Sequence, residues 1–338
     1  MTPIPPSITT GISNYEETGH GDPVHKMKAL TWQAPNQVKL LETARPTIVD
    51  DGDVIVKITG STICGSDLHL LHCMFGYSHF TEGFAGGQAE FVRVPYGDVN
   101  LLPLPDDVPD EVGLYLSDVL CTSWNAVVDT GVQPGDTVAV WGGGPVGQMA
   151  VEFAVVNGAK RVILIDGGQG PLPKGKTVVS VLKKMCDGRG PDVAIECAAG
   201  EYSKTLSHSL QRAVGLENDN PELVNEMIES VRGFGSCGVT GIYTGYCNGF
   251  NIGSLMETGI RLIGNGQAPV HKYWENLLLL IQQGKIRPLN MVSHRFRLED
   301  MVKVYDLFNH RADGMQKISV LTQYSSPPAP GTPALTVL

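Results

Sequence analysis

Gly142, Gly144 and Gly147 stand at G-x-G-x-x-G spacing, and an acid, Asp166, follows 24 positions after the first of them. Glycines so placed let a backbone approach a pyrophosphate, and free amides at the start of a helix stabilise its charge. Pro145 has the fixed φ that opens such a helix, with Val146 next in its first turn. Asp166 can accept hydrogen bonds from a ribose diol and would repel a 2′-phosphate, so NAD is favoured over NADP. A second group lies upstream in Ile63-Cys64-Gly65-Ser66-Asp67-Leu68-His69, which brings a thiol, a hydroxyl, a carboxylate and an imidazole together in sequence. Taken singly, Cys64 is equally a small buried hydrophobe, His69 a surface histidine and Asp118 a charge on a helix face.

The elements around the glycines are the ones they need. Thr137 to Trp141 is a short, apolar, β-branched run that predicts a buried strand. Val146 to Gly158 predicts a buried helix through Met149, Val151, Phe153, Ala154 and Val155, and Arg161 to Asp166 a second strand. A lone G-x-G-x-x-G could serve a turn in some other α/β protein. Strand, glycine turn, helix, strand and acid in that order form the dinucleotide fingerprint in its expected context.

Before this core, Val38–Leu41, Asp53–Thr59 and Ala89–Val94 read as short strands separated by Gly- and Pro-bearing turns, which makes a β-rich half. Glu111 to Val128 reads as largely helical. After Asp166 the alternation weakens in the turn-rich stretch 167–176. It resumes with a helix at 177–185, a strand at 191–196, a helix at 221–231, strands at 238–243 and 260–264, helices at 271–283 and 298–309, and a strand at 317–321. Residues 1–26 read as a flexible arm and 325–338 as a disordered, Pro- and Ser-rich tail.

A chain of 338 residues has room for about two domains. A net charge of −10 with no basic stripe argues against a nucleic-acid partner. No apolar run approaches the roughly 20 residues of a membrane span. The start lacks the charge and apolar pattern of a secretory signal. Seven cysteines without a C-x-x-C pair encode neither a disulfide framework nor a four-thiolate zinc knot, and a cytoplasmic, reducing setting is expected.

The Cys64–His69 stretch, combined with the nucleotide fingerprint, resembles the medium-chain zinc-dependent alcohol dehydrogenases, and within them the branch containing the glutathione-independent formaldehyde dehydrogenases. Gly76–His79, Ala85–Glu90, Leu116–Leu120, Asp187–Glu196 and Gly264–Tyr273 carry the likeness, which spans nearly all of 27–322. It implies an α/β fold: a Rossmann doubly wound parallel sheet over 131–286, and a β-rich GroES-like domain over 27–130 and 287–324. It also implies NAD, a catalytic zinc, a small alcohol or aldehyde substrate and a homo-oligomer. Cys64 matches a zinc thiolate and Asp118 a further ligand. Ser66 and His69 match a relay that carries the alcohol proton to solvent, and Gly266, Gln267 and Ala268 match a segment lining the nicotinamide. Zinc with an open position lowers the pKa of a bound alcohol and polarises a carbonyl.

Two departures cut into that expectation. Phe75 runs directly into Gly76, where the family has a Gly-His-Glu ligand motif and a lobe with four cysteines around a structural zinc. After Asp166 a helix and a strand are missing, along with an arginine near the cofactor ribose. Both gaps remove contiguous internal blocks, as an altered transcript, an altered gene model or a degenerating copy would. His72, Cys73, His79 and Cys121 lie near the lost ligand in sequence, and His79 or Cys73 would complete a weakened site. Two other functions therefore stand beside the dehydrogenase: an NAD-binding relative that has lost zinc chemistry, and a zinc-free NAD(P)H-dependent reductase.

Overall fold

The computed structural model describes residues 21–34, 37–64, 85–167, 172, 175–198, 220–243, 247–310 and 312–338. The chain divides into two compact units, one running to Leu114 and including Leu289–Leu338, the other Tyr115–Pro288. Among the described residues no helix is long and apolar enough to cross a membrane.

The first unit opens with β1 (Gly21–Ala34) and β2 (Gln37–Pro46), paired antiparallel, with Met27 opposite Thr43 and Leu30 opposite Leu40. Gly21–Lys26, which composition assigns to a flexible arm, thus belong to a strand: Asp22 accepts the amides of His25 and Val24, bonds that lower its carboxyl to about 2. β3 (Val54–Lys57) pairs antiparallel with a later strand, β5 (Phe91–Val94). Between them lies β4 (Gly60–Ser61), which leads to the fully buried Ile63 and the half-buried Cys64.

The second unit is a five-stranded parallel sheet. Its strands are β6 (Thr137–Trp141), β7 (Arg161–Ile165), β8 (Val193–Glu196), β9 (Ser236–Val239) and β10 (Arg261–Gly264), in spatial order β10-β9-β8-β6-β7. β6 and β8 are the most deeply buried, which is why their sequences are continuous apolar runs without alternation. Its helices are α1 (Cys121–Asp129), α2 (Pro145–Val156), α3 (Val178–Met185), α4 (Glu222–Ser230), α5 (Ile252–Glu257) and α6 (Val270–Gln282). Leu182 of α3 and Leu223, Val224, Met227 and Ile228 of α4 pack on Ala139, Trp141 and Ala194 to form the core.

A complete doubly wound sheet has the order 3-2-1-4-5-6. Here β7 takes the second place and, among the described residues, no strand pairs beyond it. Leu164 of β7 is 45% exposed, where a doubly wound sheet would have a further strand and its covering helix.

The chain then returns to the first unit through β11 (Val292–Arg297), the helix α7 (Met301–Asn309) and β12 (Lys317–Leu321). β11 and β12 are parallel, and β12 pairs antiparallel with β4. Phe296, Met301, Val304, Ile318 and Val320 close over Ile63. The end of the chain departs from the expected disorder. Glu111 and Arg295, both buried, form an ion pair at 2.6 Å, and the segment 325–338 folds onto it. The Ala329 amide donates to Glu111 Oε2, Arg295 Nη1 donates to the Pro333 carbonyl, and the Thr336 amide donates to the Arg295 carbonyl. Composition is silent about partners so far away in sequence.

Candidate functional site

Each glycine of the turn after β6 has its own reason. Gly142 has φ +99°, a conformation that L side chains rarely adopt, and its amide donates to the Ile165 carbonyl at 2.8 Å. A Cβ on Gly147 would stand 1.8 Å from the Gly142 carbonyl oxygen, so nothing larger than hydrogen fits where the helix meets the turn. Gly144 differs: no atom lies within 4 Å of where its Cβ would be. It is the N-cap of α2, offers no side chain to the first helical amides, and is followed by Pro145 at the first helical position. Those amides, with Val146 and Gly147 in the first turn, form a ready site for a phosphate.

Asp166 follows β7 and reaches the same turn. Its Oδ2 lies 2.5 Å from the position a Cβ on Gly143 would take, and its Oδ1 accepts the Gly167 amide at 2.7 Å. Gly143 is thus a third constrained glycine, outside the G-x-G-x-x-G pattern and visible in the sequence only as the middle of a Gly-Gly-Gly run. Gln148 Nε2 donates to the Gly143 carbonyl at 2.8 Å and ties the turn to α2. The structure therefore brings together Gly142, Gly144, Pro145, Val146, Gly147 and Asp166, and this cradle fits a dinucleotide.

Gly266, Gln267 and Ala268 follow β10, so they leave the sheet at the same C-terminal strand ends as the glycine turn. Gly266 and Gln267 are exposed, while Asn265 immediately before them is 1% exposed. Glu196, at the end of β8, is fully buried and accepts the amides of Ala198 (2.5 Å) and Gly241 (3.0 Å), which ties together the first residues after β8 and β9. Ala198 in turn sits where a Cβ on Gly142 would be, 2.9 Å from its Cβ. The sequence offered only one signal for Glu196 and Asn265: a polar residue ending an apolar strand.

The expected metal and relay residues fare differently. Asp118 lies, half-buried, in a π-helical turn, Leu116–Leu120, that interrupts the single helix expected over 111–128. Such turns cluster at functional sites, because the extra residue re-aims side chains. Burial, and then the nearby Asp118 charge, push the thiol of Cys121, three positions on, up to about 12, and its Sγ lies 3.8 Å from the Val270 carbonyl. Cys64 and Asp118 belong to different units. Among the described residues, no three His, Cys, Asp or Glu side chains converge as a metal site. Ser66 and His69, and with them His72, Cys73 and His79, lie outside the described residues.

No protein-family model matches the chain. A zinc-type alcohol dehydrogenase-like protein of Schizosaccharomyces pombe is 31% identical, over 86% of this chain and 90% of its own length. The chain belongs to the zinc-type, medium-chain alcohol dehydrogenase family. That alignment runs over 386 positions, more than the 338 residues present, so the relative carries residues opposite gaps in this member. A glutathione-independent formaldehyde dehydrogenase of Pseudomonas aeruginosa is 30% identical over 67% of this chain and 63% of its own. An alcohol dehydrogenase from Thermus sp. ATN1 shares the fold, with a TM-score of 0.73 and 24% identity over 88% of this chain and all of that one. The expected Rossmann sheet and GroES-like β-domain are those of the family, and the chain is an oxidoreductase.

Proposed function

We propose that this family member binds NAD and passes hydride between it and a small alcohol or aldehyde in the cytoplasm. The observation that carries the reading is the meeting of Asp166 with the glycine turn: a carboxylate where a ribose diol would sit, beside helix amides suited to a pyrophosphate. Bound NAD supplies the hydride acceptor. The chain holds the pyrophosphate at Gly144–Gly147 and the ribose at Asp166, and orients the nicotinamide with Gly266, Gln267 and Ala268. Ser66 and His69 carry the alcohol proton outward. Zinc belongs to the proposal through Cys64 and Asp118, and the described residues do not complete its ligand set, so no step is derived through it. The domain assignment that accompanies this reading is GroES-like for 27–130 and 287–324 and Rossmann for 131–286, in a homo-oligomer.

The test is NAD reduction with short alcohols and formaldehyde, using zinc-supplemented protein whose metal content is measured. Turnover that requires zinc is the expected result; a folded, zinc-loaded sample without turnover overturns the catalytic part. Turnover that survives a strong chelator indicates the zinc-free reductase instead. The direct run of Phe75 into Gly76, where the family's Gly-His-Glu ligand motif would stand, favours a second reading, a nucleotide-binding member without zinc chemistry. In that case NADH raises the melting temperature and zinc leaves it unchanged.

A further inference from the structure

A doubly wound sheet binds a dinucleotide across its strand ends, one nucleotide over each half. Asp166 and the glycine turn assign the adenosine half to the β6–β7 side. The second half then lies over the ends of β8, β9 and β10, the last of them three strands from β6, or about 14 Å at the usual strand spacing. The loop that leaves β10 is exposed at Gly266 and Gln267, and one buried side chain fastens its base.

That side chain is Asn265. Its Nδ2 donates to Asp129 Oδ2 at 2.7 Å, and its Oδ1 accepts the Thr130 hydroxyl at 3.1 Å. Asp129 as a carboxylate can only accept, which fixes the amide's orientation. The backbone of Asn265 is held as well. Its amide donates to the Val239 carbonyl at 2.8 Å, and its carbonyl lies 3.4 Å from Asn125 Nδ2, whose own Oδ1 accepts the Tyr273 hydroxyl at 3.0 Å. Gly238 of β9 presses on the pair: a Cβ there would stand 2.0 Å from Thr130 Oγ1 and 2.5 Å from Asn265 Oδ1. No side chain fits between, so the amide has one arrangement.

We infer that Asn265 is a positioning residue for the nicotinamide half of the cofactor: it locks the Gly266–Ala268 loop to the end of α1 and to β9. The inference rests on nicotinamide-cofactor binding by this unit and adds which half of the cofactor the network serves. It requires an amide at 265. In Asn265→Asp a second carboxylate faces Asp129, the donor is lost, and the loop's base loosens. In the double variant Asp129→Asn with Asn265→Asp, the donor and acceptor exchange places and the bond returns.

Calorimetric titration with NADH and with ADP-ribose, which lacks the nicotinamide, separates the possibilities. Wild type should bind both. Asn265→Asp should weaken NADH about tenfold, the scale of one buried hydrogen bond, with ADP-ribose changed by less than about twofold. The exchanged pair should recover NADH affinity to within about threefold of wild type. Should Asn265→Asp fail to fold, Thr130→Val removes one bond and keeps the amide, and a smaller loss confined to NADH is expected. Equal weakening of both ligands, or of neither, overturns the positioning role while leaving nucleotide binding intact. Wild type that binds neither ligand overturns the nucleotide reading first, and the inference with it.

Discussion

The glycine turn and the cysteine–aspartate pair are built on opposite plans. Gly142 to Asp166 spans 25 residues of one unit, and β6, α2 and β7 bring its parts together through contacts between neighbours in sequence. Its constraints are steric and backbone-made: a carbonyl under Gly147, a positive φ at Gly142, a carboxylate against Gly143. Cys64 and Asp118 lie 54 positions apart in different units, and each is set by its own surroundings, a strand end after Ile63 and a π-turn before α1. A site assembled locally survives the loss of distant blocks. The zinc proposed for Cys64 and Asp118 would instead draw on residues far apart in the sequence, and each of them is held by its own local structure.

The strongest attempt to break that contrast is Gly147→Ala set against Gly144→Ala. The first drives a methyl into the Gly142 carbonyl, a contact that only a backbone shift relieves; overpacking of this kind costs about 1–3 kcal/mol. NADH binding should be lost, more than about a hundredfold, and the melting temperature should fall by several degrees. Gly144→Ala has open space around it, so the melting temperature should stay within about 1 °C while NADH binds more weakly, because the methyl occupies the anion's approach. Equal affinities for the two variants would show that the turn's geometry does not govern binding.

A smaller effect is expected at Asp166. Asp166→Asn keeps a hydrogen-bonding group beside Gly143 and removes the charge that repels a 2′-phosphate. The ratio of NADPH to NADH affinity should rise by about tenfold, the scale of one unscreened charge contact. An unchanged ratio in titrations of the two cofactors would place the adenosine ribose elsewhere and dissolve the local site.

What was legible divides along the same line. The strand over Thr137–Trp141 is read with its observed bounds, and the helix and strand that follow lie within two residues of theirs, because burial and turn chemistry there are encoded by adjacent residues. The helix over 111–128 hides its π-turn, since the phase of helical hydrogen bonds around Asp118 is settled by what packs on it, α6 and α2 included, and not by composition. The ordered end of the chain depends on Arg295 meeting Glu111, a pairing that Pro and Ser content cannot announce. Asn265 escaped notice for a related reason. Its neighbours Gly266–Ala268 carry the visible motif, whereas its partners Asp129 and Thr130 lie more than a hundred residues earlier.

The smallest expected effect asks whether the scaffold beneath the glycine turn is separable from the site. Asp192 precedes β8 at the end of the sheet away from the turn. Its Oδ2 accepts the Thr137 amide at the start of β6, and its Oδ1 pairs with Arg232 Nε at 2.5 Å. Burial pulls its carboxyl upward, but the Thr137 bond and the Arg232 guanidinium outweigh that and hold it below the usual value of 3.8. A depressed folded pKa contributes stability that is present above the unfolded value, about 3.9, and is lost as pH falls through the folded one. Asp192→Asn should lower the melting temperature by about 2–4 °C at pH 6, the shift that ~1 kcal/mol gives a chain of this size for a partly screened pair. It should also flatten the fall in melting temperature between pH 5 and pH 3. NADH affinity at pH 7 should stay within about twofold of wild type, since the strand ends that carry the turn lie a full strand length away, about 15 Å for five residues. If Asp192→Asn instead weakens NADH as strongly as Asp166→Asn does, the turn takes its geometry from the whole sheet, and the local plan drawn for it is wrong.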